Sequence, residues 1–415
     1  MSNELEVGQD LTRLQGNGRT SADVLAGYGS AIMPTFGTPK RVFVRGEGCY
    51  VWDAEGRRHL DLLGGLAVNA LGHAHPTVLA AITSQLSTLG HVSNFFATPA
   101  QVALAERLTA LVGGADVDAR VFFANSGTEA NEAAFKITRQ TGRTKIISTE
   151  GAFHGRSLGS LALTHSPKYR EPFEPLPGDV TFVPYGDAAA LAEVLDETVA
   201  AVVLEPIQGE NGVVVPPPGY LAKARELCDA AGALLWIDEI QTGMGRTGSW
   251  LVHTDQGVRA DIVTLAKGLG NGFPIGACLA TGRAATLLGP GSHGTTFGGN
   301  PVAAIAGLAV MAVIERDGLL ANATAMGERL ASMIHLVGNW HIAGVRGRGL
   351  LQAIVLNKPI AAAAVDLALD AGFVINAPRP DVIRIAPPLI ITGEQLDSFV
   401  HALPGILDAA AEVPA

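Results

Sequence analysis

Seven short apolar segments, separated mostly by helical patterns, constrain the fold of this chain most strongly. They cover residues 120–124, 145–148, 180–183, 200–204, 233–237, 262–265 and 275–280. Those near the middle are continuous runs rich in β-branched residues, a pattern typical of strands that are covered on both faces. Helical patterns at 78–89, 99–112, 128–140 and 220–231 accompany them. The sequence therefore predicts an α/β fold with a large, doubly wound, mostly parallel sheet.

The pattern differs on either side of this region. Residues 1–75 begin with a polar, aperiodic arm and continue into a hairpin predicted from 41–44 and 50–53. Residues 76–315 form the predicted large α/β domain. Residues 316–415 show a long helix, short strands at 350–356, 374–375 and 382–385, and terminal helices. We expect these last residues to form a smaller α+β domain that the N-terminal strands join.

Composition excludes several classes of protein. Of the 415 residues, 48% are hydrophobic and 16% charged, as in a globular protein. The net charge of −10 argues against general nucleic-acid binding. The longest apolar run, 302–314, is shorter than the roughly 20 residues that span a bilayer, so we expect a buried helix and no membrane partner. No signal-peptide pattern is present, and Cys49, Cys228 and Cys278 match no metal-binding spacing. These features favour a soluble cytoplasmic protein without a metal.

Lys267 is one of only seven lysines, and it follows the apolar segment 262–265 directly before Gly268. Burying a lysine as a cation is costly, so such a residue either reaches solvent or performs chemistry. Lysine amines form Schiff bases with carbonyl compounds when burial lowers their pKa. Position alone favours an ordinary solvated lysine at the end of a strand. The neighbouring motifs reverse that preference.

Two other predicted strands end in polar residues. Ser126 and Glu129 match a capping box, yet Gly127 at a helix N-terminus equally suits a phosphate group. Asp238 follows the segment 233–237, where it either caps a turn or holds the nitrogen of a pyridine ring in its protonated form. Either explanation is adequate for each motif taken alone.

Aromatic, hydroxyl and basic residues add further candidates. Phe153 lies among small residues, so its ring can pack in the core or against a flat ligand. The segment 294–301 combines Thr295 and Thr296 with glycines, which suits a phosphate site or a loop that caps the next helix. Arg156 and Arg384 suit recognition of carboxylates, although a structural salt bridge is the commoner role for any one arginine.

In combination, these segments form an ordered set of motifs. They read NSGTEAN at 125–131, FHGR at 153–156, EPIQGE at 205–210, DEIQTGMGRTG at 238–248, KG at 267–268 and GGNP at 298–301. From about residue 46 to residue 388 the chain resembles the class III aminotransferases. These are the ornithine-type branch of the fold type I enzymes, which use pyridoxal 5'-phosphate. The resemblance implies that fold, that cofactor and a homodimer with active sites shared across its interface.

The resemblance also implies roles for individual residues. Around the cofactor, it implies that Lys267 forms the covalent attachment and transfers the proton, and that Asp238 pairs with the ring nitrogen. Phe153 and Ile240 are then expected to pack on the ring faces, with Gln241 close to the ring hydroxyl. The phosphate is expected to be bound by Ser126, Gly127, Thr128 and the partner subunit's Thr296. Around the substrate it implies that Arg156 binds the α-carboxylate, that Thr295 contacts acetylornithine, and that Glu210 pairs reversibly with Arg384.

Within the family, the chain most resembles members that transfer the δ-amino group of N2-acetyl-L-ornithine to 2-oxoglutarate. The products are N-acetyl-L-glutamate 5-semialdehyde and L-glutamate, in bacterial arginine biosynthesis. One departure concerns the pocket entrance, where many relatives have a tyrosine and this chain has Phe36. The departure bears on the choice of substrate more than on the chemistry.

Several alternatives share the same motifs. Ornithine, 4-aminobutyrate, succinylornithine and succinyl-diaminopimelate are other amino donors within the family. A decarboxylase or an aminomutase on the same scaffold is a more distant alternative. A catalytically inactive binding protein would be expected to lack Lys267 or Asp238, and both are present.

Overall fold

A computed structural model describes residues 19–113 and 118–413, and their strands form three sheets. Most of the predicted N-terminal arm lies outside these residues. The strands are β1 (Phe43–Glu47), β2 (Tyr50–Asp53), β3 (Arg58–Asp61), β4 (Ala119–Ala124), β5 (Lys145–Thr149), β6 (Asp179–Val183), β7 (Val199–Leu204), β8 (Leu234–Asp238), β9 (Ile262–Leu265), β10 (Gly276–Thr281), β11 (Ile342–Arg348), β12 (Leu351–Leu356), β13 (Phe373–Val374), β14 (Asn376–Arg379) and β15 (Val382–Ile385).

Helices cover both faces of the largest sheet and most of the remaining core. They are α1 (Ser21–Ala31), α2 (Gly64–Ala67), α3 (Pro76–Thr88), α4 (Pro99–Gly113), α5 (Gly127–Arg139), α6 (Leu158–Leu163), α7 (Pro167–Arg170), α8 (Ala188–Val194), α9 (Tyr220–Ala231), α10 (Val252–Asp255), α11 (Pro301–Arg316), α12 (Leu319–Val337), α13 (Ala361–Asp370) and α14 (Gly393–Glu412). The apolar run 302–314 lies in α11, which is buried along most of its length. Within the described part of the chain, no helix is both long and apolar enough to cross a membrane.

The seven-stranded sheet confirms the predicted doubly wound α/β fold. Its order is β4-β10-β9-β8-β7-β5-β6, and the neighbours from β9 to β6 are all parallel. Every residue of β7 and β8 is buried, which explains their uninterrupted apolar sequences. Strand β10 is antiparallel to β9 and β4 because a short connection, residues 266–275, joins β9 to β10 without a helical crossover.

Two smaller sheets contain the remaining strands. The sheet β11-β12-β15-β14 is antiparallel, whereas the sheet β1-β2-β3 is extended by β13, which pairs in parallel with β3. A strand from the C-terminal region thus pairs with the N-terminal strands, while the domain boundaries at residues 75 and 315 stay a prediction.

Sequence patterns missed β3, β11 and β14. Strand β11 reads IAGVRGR and is only partly buried, so it lacks the apolar alternation that identifies a strand. Strand β3 reads RHLD and buries two polar residues. Of the predicted strand 374–375, Val374 ends β13, whereas Ile375 lies between β13 and β14, which belong to different sheets.

Candidate active site

The parallel strands β7, β8 and β9 point their carboxyl ends toward one edge of the large sheet. Glu205 follows β7, Asp238 ends β8, and Lys267 lies two residues after β9. In open α/β sheets, ligands bind at this edge. The edge here opens into a cavity of about 380 Å³. Nine of the predicted site residues line it: Ser126, Gly127, Thr128, Phe153, Arg156, Asp238, Ile240, Gln241 and Lys267.

Lys267 begins a short 3-10 turn with a left-handed backbone at φ 44°. A lysine rarely adopts this conformation, and strained backbone of this kind is concentrated at functional sites. Burial lowers the pKa of Lys267, and the Arg384 guanidinium lowers it further, although the Glu210 and Asp238 carboxylates oppose both effects. A lowered pKa favours the neutral amine, which is the nucleophilic form.

Asp238 is buried at the cavity edge and held by three donors. His154 Nδ1 lies 2.7 Å and Asn131 Nδ2 lies 2.9 Å from its Oδ2, and the Ile240 N–H donates to Oδ1 over 3.0 Å. Burial opposes a charge on His154, but the hydrogen bond to Asp238 and its negative charge raise the His154 pKa overall. The carboxylate therefore has a fixed orientation.

Two of these supporting residues received no role from sequence. His154 follows Phe153 in a motif that was singled out for its ring, and Asn131 lies four residues after Gly127 on the same face of α5. The available signal was that both residues lie in polar motifs of an otherwise apolar region. Their contact with Asp238 depends on packing between three separate segments.

The N-terminus of α5 forms one end of the cavity. The Ser126 hydroxyl accepts a hydrogen bond from the Glu129 N–H, while the Glu129 carboxylate accepts from the N–H of Asn125, one residue before the helix cap. A Cβ atom on Gly127 would lie 2.8 Å from Ile240 Cδ1, so a larger residue at this position would require the Ile240 side chain to shift. The first-turn N–H groups form a donor set for a phosphate, while the Thr128 hydroxyl, which also lines the cavity, is hydrogen-bonded to Ser157 Oγ over 2.6 Å.

Phe153 and Ile240 both line the cavity between the helix terminus and Lys267. The Phe153 N–H donates to Glu205 Oε1 over 3.0 Å, which fixes the segment that carries the aromatic ring. Burial raises the pKa of Glu205 to about 7, with His154 opposing the shift and Asp238 adding to it. These groups fit pyridoxal phosphate. The donor set at the α5 terminus fits the phosphate, and the buried Asp238 carboxylate fits the ring nitrogen. The Lys267 amine fits the aldehyde, and Phe153 and Ile240 fit the two faces of the ring.

Arg384 and Glu210 form an ion pair, and Gln241 is hydrogen-bonded to both of them. Arg384 lies in β15 with 1% of its side chain exposed, and its Nη1 donates to Glu210 Oε1 and, over 3.1 Å, to Gln241 Oε1. Its Nε donates to Asn376 Oδ1 over 3.1 Å. Its buried Nη2 has no hydrogen-bond partner in the described residues. Burial would raise the pKa of Glu210, but the charges of Arg384 and Lys267 outweigh burial and lower it.

Arg156 lies at the mouth of the cavity and is exposed. Its guanidinium carbon is 3.4 Å from the centroid of the Tyr169 ring and 5.7 Å from that of Phe153. Stacking on an aromatic face holds a guanidinium in place while leaving its N–H donors free for a carboxylate.

The remaining candidates do not line this cavity. Thr295 and Thr296 line a second cavity with Asn94, and the Thr295 hydroxyl accepts a hydrogen bond from Asn125 Nδ2 over 3.3 Å. Phe36 is 93% exposed in the single chain. A single chain thus brings together the predicted cofactor and gate residues but leaves both threonines outside the Lys267 cavity.

The chain belongs to the class-III aminotransferases, whose family model matches residues 34–407. It is therefore a pyridoxal-phosphate-dependent transaminase of fold type I. It is similar to an acetylornithine aminotransferase of Mycolicibacterium smegmatis, at 58% identity over 383 residues, which are 92% of this chain and 97% of that protein.

Solved structures agree with this assignment. An ornithine aminotransferase of Toxoplasma gondii superposes with a TM-score of 0.91 at 31% identity, covering 97% of this chain and 98% of that one. An N-acetylornithine aminotransferase of Stenotrophomonas maltophilia superposes with a TM-score of 0.78 at 36% identity, covering 91% and 98%.

Proposed function

We propose that this protein transfers the δ-amino group of N2-acetyl-L-ornithine to 2-oxoglutarate and releases N-acetyl-L-glutamate 5-semialdehyde and L-glutamate. The observation that carries the proposal is the Glu210–Arg384 pair next to Lys267. A buried cation with a removable acidic partner suits a pocket that takes two unlike substrates in turn. The name of the Mycolicibacterium smegmatis relative supports the choice of amino donor.

The residues of the Lys267 cavity divide the work of transamination. When bound, pyridoxal phosphate supplies a carbonyl group that condenses with amines and a ring that accepts electrons. Asp238 holds a proton on the ring nitrogen, because its carboxylate is buried and fixed by His154 and Asn131. The Lys267 amine, whose pKa is lowered, would take a proton from the substrate carbon and deliver it to the cofactor.

The helix terminus, ring contacts and Gln241 hold the reacting groups in place. All of these residues line the cavity. The α5 terminus at Gly127 and Thr128 would hold the phosphate, Phe153 and Ile240 would exclude water from the ring faces, and the Gln241 amide would bind the ring hydroxyl. Fixing the geometry in this way lowers the entropic cost of reaching the transition state.

Two arginines distinguish the substrates. In acetylornithine the reacting carbon bears no carboxylate, so Arg384 stays paired with Glu210 while Arg156 binds the α-carboxylate at the far end. In 2-oxoglutarate a carboxylate is attached to the reacting carbon. Glu210 then releases Arg384, and the guanidinium binds this carboxylate through Nη1 and the unpartnered Nη2.

A homodimer with shared active sites completes the proposal. Helix α1 has no buried residue, and Phe95, Phe96 and Phe297 are exposed apolar side chains of the kind that subunit interfaces cover. Thr296 lies outside the Lys267 cavity of its own chain and would serve the phosphate site of the partner, with Thr295 next to it at the substrate.

Mixing two inactive variants tests this sharing. A dimer formed from one Lys267→Ala chain and one Thr296→Val chain has one site with both residues intact. Mixed dimers formed after mild dissociation should therefore be more active than either parent. Activity that never exceeds the mean of the parents would contradict a shared site.

The proposed location is the cytoplasm, and the proposed role is arginine biosynthesis. All three cysteines, Cys49, Cys228 and Cys278, are free and buried, which suits a reducing compartment.

A panel of single half-reactions tests the choice of amino donor. The cofactor-loaded protein is mixed with acetylornithine, ornithine, 4-aminobutyrate or N-succinyl-diaminopimelate, and the change in cofactor absorbance is followed. We expect acetylornithine to give the highest kcat/KM. Ornithine is the second candidate, because the Toxoplasma gondii structure superposes with a TM-score of 0.91. A faster reaction with ornithine would replace the proposed donor.

A further inference from the structure

Arg384 is bound by acceptors of two kinds. Glu210 is the one charged partner among them, whereas Gln241 and Asn376 accept through neutral amide oxygens. Of the two neutral acceptors, Gln241 also donates to Glu210 Oε1 over 3.4 Å, so it belongs to the same gate. Asn376 accepts from the guanidinium Nε, and among the described residues its side chain makes no hydrogen bond to Glu210 or Gln241.

The backbone fixes the Asn376 contact. Asn376 begins β14, and its Cα is paired directly with that of Arg384 in the antiparallel ladder with β15. Directly paired residues of antiparallel strands project their side chains on the same face of the sheet. The amide therefore lies next to the guanidinium stem whether Glu210 is present or displaced.

Neutrality at position 376 has an electrostatic consequence. A buried guanidinium needs its N–H donors satisfied, and a carboxylate that binds it must find an uncompensated positive charge. An amide oxygen satisfies the Nε donor without neutralising the charge. After Glu210 leaves, Arg384 keeps its position and its full charge for the carboxylate of the substrate.

We propose that Asn376 is a positioning and specificity-determining residue, which holds Arg384 by a neutral contact and so keeps it available to the carboxylate on the reacting carbon of the amino acceptor. This inference rests on the proposed function, since it assumes that Arg384 binds that carboxylate. An aspartate at position 376 would pair with Arg384 as Glu210 does, but the pairing of β14 with β15 would keep it from moving away.

Four variants test the inference: Asn376→Asp, Asn376→Ala, Arg384→Ala and, as a control, Asn357→Asp. The control adds the same charge at the exposed end of β12, far along the strand from Arg384. Three quantities are measured on cofactor-loaded protein: KM for 2-oxoglutarate, KM for acetylornithine, and the calorimetric Kd for glutarate, a dicarboxylate that cannot react.

Asn376→Asp should raise the 2-oxoglutarate KM and the glutarate Kd by about tenfold or more, since a buried acid competes directly with the ligand. It should leave the acetylornithine KM within about twofold, because that substrate needs Arg384 neutralised. Asn376→Ala should give a smaller rise of about threefold, because it removes the anchor without adding charge. The control should match the wild type, and Asn376→Asp should keep the wild-type melting temperature to within a few degrees.

The outcomes separate this inference from the proposed function. Unchanged glutarate binding in Arg384→Ala would mean that the gate itself is wrongly assigned. Weakened binding in Arg384→Ala together with wild-type behaviour of Asn376→Asp would overturn the role of Asn376 alone. Equal rises in both KM values for Asn376→Asp would also overturn it, since a general distortion of the pocket would then explain the effect.

Discussion

The two sides of the Lys267 cavity are built on different principles. On the cofactor side, Asp238 accepts hydrogen bonds from His154, Asn131 and the Ile240 backbone, all in elements packed on the large sheet. On the gate side, Arg384 belongs to a small sheet and takes its partners from three separated segments, and its Nη2 has no hydrogen-bond partner among the residues that the structure describes.

This contrast explains how one enzyme can use fixed chemistry with variable recognition. A carboxylate with all its contacts made has one low-energy arrangement, so the cofactor side stays the same through both half-reactions. If Glu210 exchanges with a substrate carboxylate, as we propose, Arg384 has two alternative charged partners. We therefore expect substitutions on the cofactor side to slow both half-reactions equally, and substitutions at the gate to affect them unequally.

Replacing Lys267 should have the largest effect on turnover, because the cofactor side and the gate side both act together with its amine. Lys267→Ala should lose at least about 10⁴-fold in kcat, since it removes the group that transfers the proton. Steady-state turnover with acetylornithine and 2-oxoglutarate measures the loss. Borohydride reduction followed by mass spectrometry should label the wild type at residue 267 and leave the variant unlabelled. A variant that turned over at the wild-type rate would contradict the assignment of the catalytic lysine.

Asp238→Asn should reduce kcat by about 10²–10³-fold, because the amide no longer stabilises a positive ring nitrogen. Stopped-flow measurement of each half-reaction should show equal losses, since both use the same ring. Asn211→Asp, an exchange of the opposite sense outside the contacts of Asp238, serves as the control. A loss confined to one half-reaction would break the contrast between the fixed side and the gate.

Glu210→Gln should have an effect of about tenfold, and it should be unequal. Without the acid, Arg384 keeps a buried charge that disfavours the amine of acetylornithine, so the donor half-reaction should slow. The 2-oxoglutarate half-reaction should be unchanged or faster, because no carboxylate has to leave. The ratio of the two kcat/KM values is the measurement. Equal slowing of both would mean that Glu210 supports the pocket generally and does not act as a gate.

The same contrast governs what could be predicted from sequence. Fully buried strands such as β7 were recognisable because both faces are apolar, whereas β11 was missed because half-exposed glycines and arginines show no period. Residues on the cofactor side lie in compact motifs at strand ends, so the sequence alone indicates their chemistry. The gate is assembled from distant segments.

Asn376 shows why the gate could not be completed from sequence. Nothing in its neighbourhood identifies it as functional, and its contact with Arg384 follows only from the antiparallel register of β14 and β15. The supporting contacts of Asp238 share this limit, because His154 and Asn131 reach it from two other segments. Residue types reveal chemistry, whereas partners depend on how strands are paired and packed.

Glu205 connects the two sides and gives the smallest expected effect. It binds the Phe153 backbone on the cofactor side and begins the segment that leads to Glu210. Its pKa is raised from 4.5 to about 7, chiefly by burial. Between these values the folded protein holds a proton that the unfolded chain has lost, so the free energy of unfolding falls as pH rises, by at most about 1.4 kcal/mol per pH unit.

Glu205→Gln is neutral at every pH and should lack this slope. The stability of the variant relative to the wild type should therefore increase from pH 4.5 to about pH 7 and stay constant above it, with a total change of about 1–3 kcal/mol. Urea unfolding of both cofactor-depleted proteins at pH 5, 6, 7 and 8 measures the difference, in which the titration of groups that are not coupled to Glu205 cancels. A constant difference over this range would show that Glu205 is already ionised near pH 5. The segment with Phe153 and His154 would then be held by two charged acceptors, Glu205 and Asp238.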